Sequence, residues 1–384
     1  MTEIVDYIKS FLTYGNTEAA AAIGYTDNQS EWKNCKAVIL PNGHLGKDIV
    51  YPYMGVVRSK KVENTIVIDD DILYTTFFFL SRAEELLVTD RDEHGRFTAK
   101  NSLLGKENRL QIPLLDEYAR AVMKVLDLPL PKPGFNRIYL THDIDTIAFY
   151  RHFRGFAGGL LRDDKALVIN AVRDIHSDPA YTFPWFVKQD ATVKKADIIY
   201  FVKDTKGTGF DYPQYNLSGK DFLQLKAYLE AHNAKLGLHS SYYGEPFSIQ
   251  QAPINRRLHR SHYLRCDIQT MQRLADAGVT DDFTLGFPDQ AGFRLQTTRA
   301  VRWINPITMT LTDLTLHPLT VMDGTLSQAN YMNLTEDEAY FLCQRLFDKV
   351  RQNNGDLCLL WHNTAINDTT YHKSLYLKLL SLIK

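Results

Sequence analysis

The sequence predicts an α/β fold built on a parallel sheet, open or barrel-like, with a smaller α/β domain in front of it. Two observations support this prediction. From residue 135 onward, short apolar runs of strand length alternate with longer stretches of helical periodicity, a pattern typical of parallel sheets with crossover helices. In addition, polar residues directly follow several of the apolar runs, at the carboxyl ends where α/β barrels place their active sites.

The segment Leu128–Gly134 divides the chain. It contains three prolines in five residues, and proline neither continues a helix nor donates to a central strand. Residues 1–130 are therefore predicted to form the smaller α/β domain, whose role is unknown. Its predicted elements are strands at 37–40 and 65–68 and a helix near 115–126.

The larger domain, residues 135–384, is predicted to begin with a buried strand at 138–140. Apolar residues spaced as on one helix face mark its helices, and short apolar runs mark its strands. Further strands are predicted at 197–202, 235–239, 282–286 and 357–362, and helices at 220–232, 266–277 and 336–351. Because strands and helices alternate, the sheet is expected to be parallel.

Bulk composition excludes several classes of protein. The 384 residues carry a net charge of −1, so no general basic field points to nucleic acid. The four cysteines lack CxxC spacing, which excludes a zinc knot and a disulfide framework. The N-terminus is acidic without a long apolar run, and the apolar cluster Phe77–Leu80 is too short to cross a bilayer. We therefore expect a cytoplasmic protein without signal peptide or transmembrane segment.

Two aspartates end the first strand of the larger domain. Asp143 and Asp145 project to the same side because side chains alternate along a strand. Two adjacent carboxylates repel each other unless a cation or a shared proton relieves them. His239, Arg294 and His362 follow other predicted strands. The pattern indicates a divalent-metal or acid/base site where the strand ends meet.

Five segments, in this order, resemble motifs of the polysaccharide deacetylase family of metal-dependent carbohydrate esterases. They are Thr141–Asp145, Gly237–Tyr242, Ser261–Arg265, Gly286–Arg294 and Leu359–Asn363. The resemblance covers about residues 136–384 and implies a distorted (β/α) barrel. Upstream, Phe79–Glu85 and Arg91–Arg96 look like the N-terminal region that accompanies one divergent branch of this family.

The resemblance implies a role for each matching residue. Asp143 is the expected catalytic base, and Asp145 is the expected metal ligand. Arg294 is expected to pair with Asp143 and hold it ionised, while His362 protonates the leaving amine. Asp323 is a candidate for orienting His362 or contacting the substrate.

The first motif departs from the family pattern, in which the two acids are usually adjacent. Here Ile144 separates Asp143 from Asp145. Which acid binds the metal is therefore open, and His142 is an alternative ligand.

The second motif departs more seriously. Tyr243 stands where the family has a second histidine, four residues after His239. We nominate His262 as the replacement ligand, with His259 in reserve. The expected set is then Asp145, His239 and His262. Zinc is the expected ion, although other divalent ions suit these ligands.

These assignments predict metal-dependent hydrolysis of the N-acetyl group of an acetamido sugar, in a cell-surface glycan or its precursor. Two alternatives stay open. The chain could be a non-catalytic carbohydrate-binding relative, which the missing histidine at Tyr243 favours. It could also be a hydrolase of another non-peptide C–N bond. The sugar, the acyl group and the oligomeric state do not follow from the sequence.

Structural explanations compete with each assignment. The two aspartates could cap a following helix, the histidines could be packed core residues, and Arg294 could be an ordinary surface arginine. The basic segment around His262 could be a helix that holds a phosphate. His317 is expected to be structural, and the acidic run Asp69–Asp71 is expected to be a solvated turn. Four tyrosines could form a sugar-stacking wall: Tyr212, Tyr215, Tyr242 and Tyr243.

Overall fold

The computed structural model describes residues 1–204, 207–243, 254–367 and 369–384. The described strands form two sheets in a mixed α/β protein. The strands are β1 (Ile23–Tyr25), β2 (Ala37–Ile39), β3 (Ser59–Val62), β4 (Thr65–Ile68), β5 (Arg137–Ile144), β6 (Ala196–Lys203), β7 (Lys235–Ser240), β8 (Asn255–Ser261), β9 (Asp281–Asp282), β10 (Val301–Asn305), β11 (Thr310–Leu316), β12 (Val321–Met322) and β13 (Asp356–Leu360).

The α-helices lie between these strands and at both ends of the chain. They are α1 (Thr2–Leu12), α2 (Thr17–Ala21), α3 (Gln29–Trp32), α4 (Ile72–Leu80), α5 (Glu84–Leu87), α6 (Leu103–Lys106), α7 (Leu114–Val125), α8 (Phe153–Arg162), α9 (Lys165–Arg173), α10 (Phe183–Asp190), α11 (Lys220–Ala231), α12 (Ile268–Asp276), α13 (Asp323–Ser327), α14 (Glu336–Gln352) and α15 (His372–Ile383).

The smaller sheet lies near the N-terminus and has the order β1–β2–β4–β3. Strands β1, β2 and β4 are parallel, whereas β3 pairs with β4 in the antiparallel sense. The acidic run after β4 starts a helix instead of forming a solvated turn. Asp71 caps α4 by accepting from the Tyr74 amide over 2.8 Å, and Asp70 binds Arg58.

The larger sheet has the order β10–β11–β9–β8–β7–β6–β5–β13–β12. All neighbouring pairs are parallel except β10 and β11. Among the described strands, β10 does not pair with β12, so the predicted barrel is not confirmed. The β10 end is covered instead by the N-terminal region: Trp303 of β10 lies in the same buried cluster as Phe77 and Phe78 of α4.

Two predicted elements of the larger domain differ from the structure. The basic segment that contains His259 and Arg260 is strand β8 and not a helix. The strand predicted at 282–286 is only β9, because the Asp282 carboxylate accepts from both the amide and the hydroxyl of Thr284. Such a contact of an aspartate with the backbone two residues on makes a turn.

The N-terminal segment shares its hydrophobic core with part of the larger domain. One buried cluster joins Ile8, Phe77 and Leu115 to Trp303 and Leu316. Helix α1 contacts β11, and α4 contacts β10. The domain boundary near residue 130 stays a prediction, but the structure shows one continuous core across it.

No helix in the described part of the chain is both long and apolar enough to cross a membrane.

Candidate active site

The carboxyl ends of six adjacent strands, from β8 through β12, meet at one side of the larger sheet. There they border a cleft of about 510 Å³. Five of the six predicted site residues line it: Asp143 and Asp145 at the end of β5, His239 in β7, His262 after β8, and His362 after β13. The sixth, Arg294, lies elsewhere.

Asp145, His239 and His262 form a compact group in this cleft. Asp145 Oδ1 lies 3.6 Å from His239 Nε2 and 3.4 Å from His262 Nε2. One ligand atom from each residue lies within 4.8 Å of the others. The three residues lie at or just beyond the carboxyl ends of β5, β7 and β8. In the sheet β6 lies between β5 and β7, and β7 is adjacent to β8.

Both histidines are held by their second ring nitrogen. His239 Nδ1 lies 3.1 Å from the Arg260 carbonyl oxygen, which can only accept, so Nδ1 donates. His262 Nδ1 lies 2.8 Å from the Asp211 carboxylate and donates in the same way. In a neutral imidazole this leaves the Nε2 lone pair facing the cleft. Metal-binding histidines are usually oriented by such contacts.

The pKa shifts of Asp145 and His239 favour a ligand role, whereas the raised pKa of His262 favours its protonated form. Burial and the histidines act in opposite directions on Asp145: burial would raise its pKa, but His239 and His262 lower it well below the ordinary value. Burial lowers the pKa of His239, which favours the neutral ligand form. Burial also acts to lower the pKa of His262, but Asp145 and Asp211 raise it overall.

A divalent ion fits this group. Asp145 Oδ1 and His239 Nε2 are buried without a hydrogen-bond partner among the described residues, and their separation is too long for a hydrogen bond. Ligands about 2.0–2.2 Å from a shared tetrahedral zinc would lie about 3.3–3.6 Å apart. The donor set, and the two separations measured from Asp145 Oδ1, are compatible with zinc.

Asp143 is paired with Arg260 and not with Arg294. Arg260 is fully buried. It donates from Nη1 to Asp143 Oδ1 over 2.9 Å and from Nη2 to Thr141 Oγ1 over 2.8 Å. Asp143 Oδ2 lies 3.6 Å from His239 Nε2. The arginine thus holds one carboxylate oxygen and leaves the other facing the cleft.

The predicted pairing of Arg294 with Asp143 is wrong. Arg294 donates to Glu85 over 2.8 Å and to the Gly286 carbonyl oxygen over 3.0 Å. Glu85 also binds Arg82 over 2.6 Å, which completes a buried group of two guanidinium ions and one carboxylate. Arg294 is therefore neither a surface residue nor a neighbour of the base; it connects the larger domain to the N-terminal segment.

His362 is oriented by Asp323, as the sequence suggested. Asp323 accepts from His362 Nδ1 and from the His362 amide, each over 2.8 Å. His362 Nε2 lies 3.9 Å from Asp145 Oδ2, at the edge of the group. Burial acts to lower the pKa of His362, but Asp323 raises it to about 10. A raised pKa favours the protonated imidazole, which can donate from Nε2.

The other candidate histidines have structural contacts. His142 points away from the cleft, between Asp190 and the Trp361 carbonyl oxygen, at 2.9 Å from each. The reserve ligand His259 binds Asp282 over 2.7 Å and Ser240 over 2.9 Å. His317 stacks on Phe283, as a structural residue would.

The four tyrosines do not form one wall. Tyr212 lines the cleft, whereas Tyr243 is half exposed and borders a separate small pocket. Tyr215 donates to the Ile144 carbonyl oxygen beneath the site, and Tyr242 packs under Arg265. The remaining aromatic side chains of the cleft are Phe210, Tyr263 and Tyr331.

Comparison with known proteins adds little to this geometry. Residues 11–131 match the model of a family of unknown function (DUF7033). No curated protein matches the chain. A crystal structure described as a "putative polysaccharide deacetylase" from Mycobacterium smegmatis aligns with a TM-score of 0.43 and 11% identity, over 66% of this chain and 88% of that one. A likeness this distant supports no argument about function.

Several residues of the site were not predicted from the sequence. Arg260 lies among other cations, and Asp211 ends a short 3₁₀ helix that carries no motif. Lys203 ends β6, is buried, and donates to the Asp211 carbonyl oxygen over 3.0 Å. Arg96 reaches the cleft from the N-terminal segment and donates to Tyr331 over 2.9 Å. One signal was available: Arg260 and Lys203 both stand at the carboxyl end of a strand.

Proposed function

We propose that this protein is a metal-dependent hydrolase that removes the N-acetyl group of an acetamido sugar. The observation that supports the proposal is the meeting of Asp145, His239 and His262 in one cleft, with Asp143 and His362 on either side. A two-histidine, one-carboxylate set with neighbouring acid and base groups suits hydrolysis of an amide.

The proposed reaction requires a cation site. Asp145, His239 and His262 would hold a divalent ion, most simply zinc. Such an ion supplies Lewis acidity: it polarises the acetamide carbonyl and lowers the pKa of a water molecule. In this proposal His262, directly after the neighbouring strand β8, supplies the ligand that is absent at Tyr243.

Asp143 acts as the general base. Arg260 anchors Oδ1, so Oδ2 is the oxygen that accepts the proton of the attacking water. Because the anchoring guanidinium is always charged, the carboxylate keeps its place and orientation before the substrate arrives. General base catalysis of this kind contributes roughly 10²–10⁴-fold in rate.

His362 acts as the general acid. Its Nε2 faces the cleft, and Asp323 holds its other nitrogen. As the C–N bond breaks, Nε2 donates a proton to the departing sugar nitrogen, which leaves as the amine. The acetyl group leaves as acetate.

Two observations support the proposed substrate class. The motifs resemble those of carbohydrate deacetylases, and the cleft presents aromatic faces beside the polar group, among them Tyr212 and Tyr263. Aromatic faces suit the C–H surfaces of sugars. A cell-surface glycan or its precursor is the proposed source of the sugar.

Acetate release from N-acetyl sugars, measured with zinc-loaded protein, tests the proposal. We expect release by the wild type and a loss of about 10²-fold or more in Asp143→Asn. Asp313→Asn is the matched control, since this aspartate is exposed and far from the cleft in the β11 strand. Full activity of Asp143→Asn would refute the proposal.

Metal analysis separates the enzyme from a non-catalytic relative. His262→Ala should lose most of its bound zinc, whereas His232→Ala, which changes an exposed histidine, should keep it. If neither variant loses zinc, the binding relative is favoured. A panel that includes non-sugar amides distinguishes hydrolysis of other C–N bonds.

A further inference from the structure

The hairpin of α8 and α9 presents apolar side chains to solvent. Phe153 is 86% exposed and Leu161 is 87% exposed. On α9, Ile169 and Val172 are each 39% exposed. It is unusual for several large apolar side chains on one hairpin to be this exposed. Exposed apolar patches often mark interaction surfaces.

The inner side of the hairpin is already packed. Tyr150, Val168 and Ala171 form a small buried cluster there, with Phe156 and Leu160 against it. The exposed apolar residues are therefore additional to those that pack the hairpin against the protein.

The outer apolar residues of α8 lie on one strip. At about 100° per residue, Phe153, Ala157 and Leu161 fall within about 80° of each other around the helix. One side of the hairpin is packed on the protein, and an adjacent side carries apolar residues that are open to solvent.

Basic residues accompany this strip. Arg154, Arg162, Lys165 and Arg173 are all exposed. In the part of the chain that the structure describes, none of the four forms an ion pair. Three exposed acids share the hairpin with these four cations, and each has a local contact: Asp163 accepts from Tyr150, Asp164 caps α9, and Asp174 accepts from the His176 amide.

We propose that the α8–α9 hairpin docks on an anionic lipid surface. Exposed apolar residues beside Lys and Arg are the composition of helices that lie in the membrane interface. A second copy of the chain is a less favourable partner. A symmetric dimer brings the same patch of both copies together, so the four cations of one copy would lie close to the same four cations of the other. An anionic lipid surface neutralises them.

The hairpin also borders the cleft. His152 caps α8, and its Nδ1 lies 3.0 Å from the hydroxyl of Tyr212, a residue of the cleft wall. Arg154 lies over the same tyrosine ring, 5.6 Å from its centroid. Docking would therefore keep the cleft close to the membrane surface. The lipid contact does not depend on the proposed hydrolysis, and its test needs no substrate.

Co-sedimentation of the full-length protein with vesicles tests the inference. The vesicles are phosphatidylcholine alone and phosphatidylcholine mixed with phosphatidylglycerol. We expect binding to the mixed vesicles that weakens with salt. Phe153→Ser with Leu161→Ser should reduce the partition coefficient by about tenfold or more. Arg154→Gln with Arg162→Gln should reduce it by about fivefold per residue.

A matched control changes exposed apolar residues elsewhere. Val56 is 83% exposed and Ile307 is 64% exposed, so Val56→Ser with Ile307→Ser should bind like the wild type. All of the substituted positions are exposed, so every variant is expected to fold, which circular dichroism verifies. The inference is overturned if the wild type does not bind the mixed vesicles, or if the hairpin variants bind equally well. Sedimentation that shows a dimer abolished by Phe153→Ser would also overturn it, in favour of a second copy.

Discussion

Arg260 and Asp143 form a buried ion pair, 2.9 Å from Nη1 to Oδ1, across 117 residues of sequence. The arginine side chain also donates to Thr141 and to the Phe283 carbonyl oxygen, and it packs over Phe201 with 4.5 Å to the ring centroid. The contacts to β5 and to the residue after β9 hold the guanidinium rigidly. The base of the proposed reaction therefore takes its position from β8.

Replacing Arg260 by lysine keeps the charge but removes the planar set of donors. We expect Arg260→Lys to lower kcat by about tenfold or more with little change in zinc content, because a misplaced base is costly in rate. Acetate release and metal analysis measure the two effects. A variant with wild-type kcat would show that the position of Asp143 is unimportant.

His362 can be tested through the leaving group. If it protonates the departing nitrogen, His362→Ala should slow hydrolysis of an N-acetyl sugar by roughly 10²–10⁴-fold. An acetyl ester with a nitrophenol leaving group needs no such proton, so its hydrolysis should fall much less. Equal losses on both substrates would mean that His362 acts in some other way, such as substrate binding.

The buried group around Glu85 predicts a pH dependence of stability. Burial acts to raise the pKa of Glu85, but Arg294 and Arg82 lower it from 4.5 to about 2. A carboxylate with a depressed pKa stabilises the folded state above its ordinary pKa, and the contribution is lost as pH falls from about 4.5 toward 2. We expect Glu85→Gln to remove this dependence and to cost about 3–5 kcal/mol, because two buried guanidinium ions lose their partner.

The neighbouring Glu84 provides a control of opposite sign. Burial raises its pKa from 4.5 to about 7, so its effect favours folding below pH 4.5 and is lost as pH rises through 7. Urea unfolding at several pH values measures both variants. Glu84→Gln should change the slope only between about pH 4.5 and 7. If Glu85→Gln still loses stability as the pH falls from about 4.5 toward 2, the assignment of this loss to Glu85 is contradicted.

The shared core predicts that the larger domain does not fold alone. A fragment of residues 132–384 would expose Trp303, Leu314 and Leu316, which the N-terminal segment now covers. We expect this fragment to aggregate or to bind a hydrophobic dye, and co-expression with residues 1–131 to restore it. A fragment that is monomeric and melts cooperatively would contradict the shared core.

Much of the fold was predictable because its strands and helices are strongly patterned. Strands β5, β6, β7 and β13 appear within a few residues of the predicted bounds. The rule that polar residues at strand ends meet in parallel sheets also predicts that Asp145 and His239 lie close together, as they do. Strand β8 was missed because its cations resemble a solvated helix face, although only its first half is exposed.

The features that the sequence did not predict depend on pairings between residues that are far apart in the chain. Arg294 follows a motif that suggests a partner near the base, but its actual partner, Glu85, lies 209 residues away in the N-terminal segment. Nothing local in the sequence distinguishes Arg294 from Arg260 as the partner of Asp143. The register of β8 beside β7, which places Arg260 opposite His239, decides between them.

The central claim is that Asp145, His239 and His262 hold one divalent ion. A crystal grown with zinc, with diffraction collected on both sides of the zinc absorption edge, tests it most directly. We predict one anomalous peak bonded to Asp145 Oδ1, His239 Nε2 and His262 Nε2. A peak bound to other side chains, or none in a crystal soaked at saturating zinc, would contradict the account.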